Sequence, residues 1–217
     1  MIKQREFIKG KVFHICNKSI ANFGIFKYGK NYKRFLIGLN YYNNSNDKIN
    51  LDLYLRSKIK KSRKFNLLDG KENRIVKFLA YCLMPDHYHL LVKILLTGKL
   101  PKYISDVQNS FSRFFNGRFH RKGPLWQSRY RSVEIKTDAQ ILHVSRYIHL
   151  NPTTSNLVSK PEDWVFSSYK YYTNSDYYLK EVLNEITINK AERYRKFCEN
   201  QIAYQRKLKQ IKKLLLE

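Results

Sequence analysis

The amino-acid sequence predicts an α+β fold: a βαββαβ core with an antiparallel sheet, followed by a helical extension at the carboxyl end. Three observations support this prediction. Apolar runs of strand composition alternate with segments of helical periodicity. A Pro-Asp turn joins two of the apolar runs into a β-hairpin. Finally, residues 190–216 are basic and repeat apolar side chains at helical intervals, which is typical of an amphipathic helix.

The first half of the chain supplies the first three strands and the first helices. Residues 11–17 have strand composition, and residues 30–42 place Tyr, Phe and Leu at helical intervals. Residues 50–65 are predicted to form a second, short helix that runs into a basic cluster. Residues 73–94 are predicted to form the β-hairpin, with MPDH as its turn and HYHLLVKI as its return strand.

The second half completes the core. An amphipathic helix is predicted within residues 100–119 and a strand within 123–136. A last helix begins at Thr137, which forms a capping box with Gln140, and Pro152 predicts its end soon after Leu150. The order of these elements predicts a ferredoxin-like fold with its helices on one face of the sheet.

The charge balance points to an anionic partner. The chain of 217 residues has 42 Lys and Arg against 17 Asp and Glu, so its net charge is 42 − 17 = +25. A fold does not require this excess, and nucleic acid is the first candidate partner. An anionic membrane surface is the other class of partner. The chain has no apolar window of about 18 residues and no apolar signal sequence, so we expect no spanning helix and no membrane partner. The three cysteines lack paired metal spacing, which favours a reducing compartment and hence a cytoplasmic, nucleoid-associated protein.

Two histidines and a helix supply candidate chemical groups. His87 and His89 lie two residues apart on a predicted strand, so both side chains point to one face and can share a divalent metal. The same pattern is also common among ordinary polar strand residues. On the last helix of the core, His143, Tyr147 and Asn151 follow one another at four-residue intervals and therefore lie along one face of the helix. A phenol, a carboxamide and two imidazoles facing one another would suit a phosphate substrate.

A candidate surface for single-stranded nucleic acid follows from residues 107–133, which contain no acidic residue. Cationic side chains hold phosphates and aromatic rings stack on unpaired bases, and both types interleave here. Phe115 and Trp126 also fit the core, taken singly. The candidate DNA-contacting residues are Arg113, Arg118, Arg121, Lys122, Trp126, Arg129, Tyr130 and Arg131.

Four motifs, in order, carry a family resemblance: AYCLMPDHYHLLV, GPLWQSRYRS, SRYIHLNP and PEDWVFSSYKYY. The chain resembles the REP-associated tyrosine transposases, which belong with the single-tyrosine HUH (His-hydrophobic-His) transposases of bacterial insertion sequences. The resemblance covers about residues 11–172 and departs from the family pattern at Lys18 and Ser19, where Arg and Gly are more common. It implies a transposase domain at residues 1–155, with an aromatic segment and basic helix at 156–217 packed on or extending it.

The resemblance also implies an activity and its residues. Tyr147 matches the nucleophile, His87 and His89 match the pair that binds Mg²⁺ or Mn²⁺, and Asn151 matches the position that completes the metal site. The implied reaction cleaves and rejoins single-stranded DNA near hairpin elements through a 5′-phosphotyrosine, releasing a 3′-OH. Tyr130 is a rival nucleophile, ranked lower because it lies among arginines in a predicted strand.

Several alternatives stay open at this level. A protein of the same fold with an idle site would bind nucleic acid without cleaving it. An RNA-binding ferredoxin-like domain is a further class, although the chain lacks the glycine-rich aromatic strand motif of that class. The residues leave open whether the protein is a monomer or a homodimer, whether the tyrosine acts in cis or in trans, which DNA sequence is recognised, whether the element is still mobile, and what the C-terminal helix does.

Overall fold

The computed structural model of the protein describes residues 6–45, 50–56, 73–174, 188 and 190–214. Within these ranges the chain forms four strands: β1 (Val12–Lys18), β2 (Val76–Leu83), β3 (His87–Ile94) and β4 (Arg131–Ile135). The α-helices in the same ranges are α1 (Gly29–Tyr42), α2 (Leu51–Arg56), α3 (Leu100–Arg118), α4 (Asp138–Thr154), α5 (Tyr169–Thr173), α6 (Ala191–Glu199) and α7 (Ile202–Leu214). The part of the predicted second helix beyond Arg56, with its basic cluster, lies outside the described residues.

The four strands form one antiparallel sheet in the order β2-β3-β1-β4. This order confirms the predicted α+β, ferredoxin-like core, because each split βαβ unit brackets a strand of the other. The predicted β-hairpin is also present: Met84 N donates to His87 O at 2.8 Å across its turn. In the centre of the sheet, Cys16 on β1 lies opposite His89 on β3 and Arg131 on β4.

The strand predicted within residues 123–136 is shorter than expected, because only Arg131–Ile135 pairs as β4. Before it, Trp126 makes an isolated bridge with Ser19 and packs against the core. The preceding loop is held by the Arg121 guanidinium, which donates to Pro124 O at 2.7 Å. The segment before β4 is therefore held by one isolated bridge and by packing on the core, and it does not form a continuous strand.

Helices cover both faces of the sheet. On one face, Tyr88 of β3 packs 5.1 Å from the Phe35 ring of α1, and its hydroxyl accepts from Gln108 Nε2 of α3 at 2.8 Å. Neighbouring strand residues point to opposite faces, so His87 and His89 face the other way, toward α4. The prediction of helices on one face therefore holds for α1 and α3 and is wrong for α4. The physical reason is that β2 and β3 are buried along nearly their whole length and need cover on both faces.

Helix α4 begins as predicted and ends later. The Thr137 side chain accepts from Gln140 N at 3.2 Å, and the Gln140 side chain accepts from Lys136 N at 2.8 Å. The predicted end near Leu150 is wrong, because α4 continues to Thr154 with Pro152 inside its last turn. Pro152 removes one N–H donor, yet a last turn tolerates this loss because few intrahelical bonds remain beyond it.

The C-terminal extension is helical, as predicted, but it is two helices and not one. Helix α6 ends at Glu199 and α7 begins at Ile202. The interruption lets both helices lie along α4. Tyr194 of α6 places its hydroxyl 2.9 Å from Ser145 Oγ, and Arg206 of α7 donates to Thr153 O at 2.9 Å. No helix within the described ranges has the length and apolar character needed to span a bilayer.

Candidate active site and nucleic-acid-binding surface

The two histidines of β3 lie side by side on the face covered by α4. Their ring centroids are 5.0 Å apart and the rings are nearly perpendicular. His89 is 7% exposed, while His87, at the first position of the strand, is half-buried. Tyr88 between them is buried on the opposite face. The strand alternation predicted from HYH therefore brings the two imidazoles to one site.

Each imidazole has its Nδ1 atom engaged by a neighbour. His87 Nδ1 lies 2.5 Å from Asp86 Oδ1, and His89 Nδ1 lies 3.0 Å from His14 Nε2. Asp86 acts as an anionic acceptor: burial raises its pKa, but the hydrogen bond from His87 and the Lys18 charge outweigh burial and lower it below its usual range. When Nδ1 donates to such an acceptor, the remaining Nε2 lone pair is free to bind a cation.

Burial determines the charge of the inner imidazoles. It lowers the pKa of His14 to about 4. It also lowers the pKa of His89 well below its ordinary value, with a further contribution from His87 and His14. Both rings are therefore neutral near pH 7, which is the state in which an imidazole binds a metal.

Tyr147 faces this pair from α4. Its ring centroid lies 5.5 Å from that of His89 and 6.2 Å from that of His14. The side chain is 45% exposed, so the phenol borders solvent. Burial raises its pKa, partly offset by a hydrogen bond from Asn151, and the phenol is therefore protonated near neutral pH. One turn further along, Asn151 Nδ2 donates to Tyr147 O at 3.0 Å.

Two adjoining cavities meet at Lys18, His87 and Tyr147. The first, of about 410 Å³, is termed the catalytic cleft after the roles predicted for its residues, and it also includes Cys16, Asn17, His89, Gln127, Ser128 and Arg131. The second, of about 460 Å³, includes Asn151, Thr154, Gln205, Leu208 and Lys209. Among the described residues, neither lining includes a carboxylate, whereas Lys18, Arg131 and Lys209 supply cations. Such a lining suits a phosphodiester.

The structure thus brings together four residues that the sequence nominated separately: His87, His89, Tyr147 and Asn151. It does not bring His143 to them. The His143 ring packs 5.6 Å from the Phe197 ring, although helical spacing places His143 on the Tyr147 stripe.

Sequence reasoning missed a second pair of candidate ligands on β1. In the part of the chain that the structure describes, His14, Cys16 and His89 place ligand atoms within 4.8 Å of one another. His14 and Cys16 alternate on β1 as His87 and His89 do on β3, so the two-residue spacing was the available signal. Burial raises the pKa of the Cys16 thiol, partly opposed by Arg131, so the thiol form dominates near pH 7.

The candidate DNA-contacting residues are spread over the second half of α3 and the segment that follows it, up to the start of β4. Arg113, Arg118, Lys122, Arg129 and Arg131 are exposed, and Arg131 lines the catalytic cleft.

The two aromatic members of that set are less open. Tyr130 is half-buried, and burial raises its pKa. Trp126 packs against the core, with its ring centroid 5.6 Å from that of Tyr88 and 6.0 Å from that of Phe35. Its indole N–H donates to Gln108 O at 3.4 Å. The Trp126 ring is therefore enclosed by protein on several sides.

Comparison with known proteins finds transposases. The family model "Transposase IS200 like" matches residues 53–151, which include His87, His89, Tyr147 and Asn151. A curated Haemophilus influenzae protein, named for the REP-associated tyrosine transposases, is 27% identical over 119 residues. That match covers 48% of this chain and 64% of the relative, so the chain spans just under two thirds of its length.

One solved structure supports the fold. A REP-associated tyrosine transposase bound to a REP hairpin matches with a TM-score of 0.52 at 17% identity, over 77% of this chain and 82% of that one. A Deinococcus radiodurans transposase structure matches with a TM-score of 0.38 at 15% identity, over 68% and 95% of the chains, which is too low to establish a shared fold. These matches confirm the resemblance to the REP-associated tyrosine transposases, and residues 53–151 match the family model of IS200-like transposases.

Proposed function

We propose that this protein cleaves and rejoins single-stranded DNA beside DNA hairpins, with Tyr147 as the nucleophile. The observation that carries the proposal is the shared cleft: the Tyr147 ring lies 5.5 Å from His89, and both border a basic cavity with His87. The similar structure described as bound to a REP hairpin supports a DNA hairpin as the partner.

The donor set can hold a divalent cation, and Mg²⁺ or Mn²⁺ is the one proposed. His87 and His89 each have Nδ1 engaged by a neighbour, so their Nε2 atoms are the ones to bind it. Asn151 uses its amide N–H toward Tyr147 O, which leaves Oδ1 as its ligand atom. When bound, the cation would polarise the phosphate oxygens and help to hold the scissile phosphate in place. Two imidazoles and one carboxamide leave coordination positions for phosphate and water.

The proposed step is a transesterification. The Tyr147 phenol oxygen attacks the scissile phosphorus, a P–O bond to tyrosine forms, and the bond from phosphorus to the 3′-oxygen breaks. The proton that the phenol loses is balanced by the proton that the 3′-oxygen gains. The products are a 5′-phosphotyrosine and a free 3′-OH, and attack by a 3′-OH on the phosphotyrosine rejoins the strands. Because one ester replaces another, no nucleotide cofactor is needed.

Cationic side chains would stabilise the charge that develops on the phosphate. Arg131 lines the cleft beside Tyr147 and is the cation placed to do so, whereas the charge of Lys18 is shared with Asp86, 3.4 Å away. All proposed groups come from a single chain, which supports cleavage in cis.

The decisive experiment is an adduct assay. The protein is incubated with MgCl₂ and a DNA hairpin carrying a labelled single-stranded flank, and a denaturation-resistant protein–DNA adduct is resolved on a gel and mapped by peptide mass. We expect the adduct on Tyr147, its loss in Tyr147→Phe, and its loss with EDTA. Tyr130→Phe is the matched control, because it removes the rival phenol and should leave the adduct intact. DNA binding without any adduct would instead favour the idle nucleic-acid-binding protein.

A further inference from the structure

A second concave site, the aromatic groove, lies apart from the catalytic cleft. It has a volume of about 560 Å³, and we define it by Phe23, Lys27, Tyr28, Phe115, Phe119 and Arg121. Phe115 of α3 is buried and forms its floor. The rings above the floor belong to the loop before α1 and to the loop after α3. None of the groups used in the proposed cleavage lines this groove.

The groove exposes three large rings at one place. Phe23 and Tyr28 are each 52% exposed and Phe119 is 38% exposed. Isolated exposed apolar residues are ordinary, whereas a cluster of them marks a binding surface. The rings are also ordered: Tyr28 and Phe119 are nearly parallel at 5.8 Å, and Phe119 packs 4.6 Å from Phe115. Such preformed, partly exposed aromatic faces suit flat aromatic ligands.

The rim of the groove is cationic. Lys27 and Arg121 line it, and the Arg118 guanidinium lies 5.6 Å from the Phe119 ring centroid. Arg121 donates to Asn116 Oδ1 and to the carbonyls of Gly123 and Pro124, which are all neutral acceptors. Its charge is therefore not cancelled, and among the described residues that line the groove none is acidic. Aromatic faces beside uncompensated cations are the combination that holds unpaired bases and their phosphates.

The groove connects to the catalytic cleft through two paired segments. Gln127 N donates to Lys18 O at 3.0 Å and Ile20 N donates to Leu125 O at 3.0 Å. Lys18 and Gln127 line the cleft, while Phe23 lies five residues beyond Lys18. Five residues span at most about 18 Å. One strand of DNA with a few unpaired nucleotides can therefore reach from the cleft to the groove.

We infer that the aromatic groove stacks unpaired bases of the single strand that flanks the DNA hairpin, and so helps to set which phosphate enters the cleft. This inference rests on the proposed function for its substrate class. It adds a specificity site formed by Phe23, Tyr28 and Phe119, with Lys27 and Arg121 as its phosphate contacts.

The first test is binding. The Kd of each protein is measured by fluorescence anisotropy for a hairpin with a single-stranded flank and for the same hairpin without one. We expect the double variant Tyr28→Leu, Phe119→Leu to bind the flanked hairpin with a Kd about tenfold higher. The loss of one stacked base raises Kd by roughly tenfold. Its affinity for the unflanked hairpin should stay within about twofold of wild type. Tyr204→Leu, an exposed tyrosine outside the groove, should change neither Kd.

The second test needs no variant. Flanked hairpins carrying 5-bromodeoxyuridine at successive positions are crosslinked to wild-type protein and the attachment sites are mapped. Crosslinks to Phe23, Tyr28 or Phe119 at one or two adjacent positions are expected.

The outcomes separate the two proposals. Equal loss of affinity for both hairpins, or crosslinks only outside the groove, would overturn the stacking inference while the Tyr147 adduct still forms. Absence of the adduct with intact flank-dependent binding would instead overturn the proposed cleavage and leave the groove as a single-strand site.

Discussion

Asp86 lies within 2.5 Å of His87 Nδ1 and within 3.4 Å of Lys18 Nζ, so one carboxylate joins the start of β3 to the end of β1. The contact determines how His87 presents its ring. With Nδ1–H directed at the carboxylate, Nε2 points its lone pair away from Asp86, which is the arrangement that a metal-binding histidine requires.

The first prediction follows from this contact. Asp86→Asn weakens the acceptor of His87 Nδ1, so we expect Mn²⁺ affinity to fall by about 10- to 100-fold. Mn²⁺ titration followed by electron paramagnetic resonance measures the affinity, and adduct yield against MnCl₂ concentration should shift in parallel. Asp106→Asn is the control, since Asp106 pairs with Lys102 on the outer face of α3, away from the cleft. Unchanged Mn²⁺ affinity in Asp86→Asn would show that the carboxylate does not orient the ligand.

The second prediction concerns His14, which contacts His89 Nδ1 through Nε2. His14→Ala should reduce Mn²⁺ affinity and adduct yield together, while His14→Gln, which keeps a polar acceptor, should restore part of both. Calorimetric titration with Mn²⁺ measures the affinity. His143→Ala removes an exposed imidazole outside the cleft and should leave it unchanged. Equal defects in the Ala and Gln variants would argue that His14 acts by packing alone.

The third prediction concerns the attachment of the C-terminal helices. Tyr194 is fully buried, and its hydroxyl lies 2.9 Å from Ser145 Oγ and 2.8 Å from His149 Nδ1. Tyr194→Phe leaves both partners without that hydroxyl, so the free energy of unfolding should fall by about 1–3 kcal/mol. Urea denaturation monitored by circular dichroism measures it. Tyr204→Phe, on exposed α7, should stay within about 0.5 kcal/mol of wild type. If the free energy of unfolding fell by the same amount in both variants, the buried Tyr194 hydroxyl would have no special role in stability.

The fourth prediction is a pH dependence of stability. Burial lowers the pKa of His149 to about 3, below its ordinary value of 6.5. The unfolded chain therefore binds more protons than the folded chain between these values. The contribution of His149 to stability is complete above pH 6.5 and is lost as the pH falls toward 3, at about 1.4 kcal/mol per pH unit. The lowered pKa values of His14 and His89 act in the same direction.

The measurement is urea denaturation in EDTA at pH 7, 6, 5 and 4.5, for wild type and His149→Gln. The variant should lose less stability over this range, with a slope smaller by about one proton. Its absolute stability at pH 7 is not the readout, because any change at a buried position lowers it. Parallel curves for the two proteins would contradict the prediction.

Local pattern was enough to predict the sheet and the β3 histidines. The alternation of HYH on an apolar strand and the Pro-Asp turn before it both report on backbone geometry that neighbouring residues determine. The Tyr147–Asn151 stripe on α4 has the same origin, because i, i+4 spacing needs only a helix. These features therefore agree between sequence and structure.

Features that depend on contacts distant in sequence were missed. His14 lies 75 residues before His89, and only the antiparallel register of β1 and β3 brings them together. The break between α6 and α7 was hidden because Cys198 and Ile202 keep helical spacing across it. For Trp126 the sequence fitted both a stacking role beside arginines and a place in the core, and only tertiary packing decides that its ring lies against the core.

The anchoring of α4 has a consequence for how strands could be exchanged. This helix presents Tyr147 while it is bonded on one flank to Tyr194 and at its end to Arg206. Because α6 and α7 anchor α4, the Tyr147 phenol has little freedom to move toward a second subunit unless both of these helices detach. Under the proposed chemistry, the DNA strands must then move instead of the tyrosine, so that the cleaved ends are exchanged at a hydroxyl that stays in place.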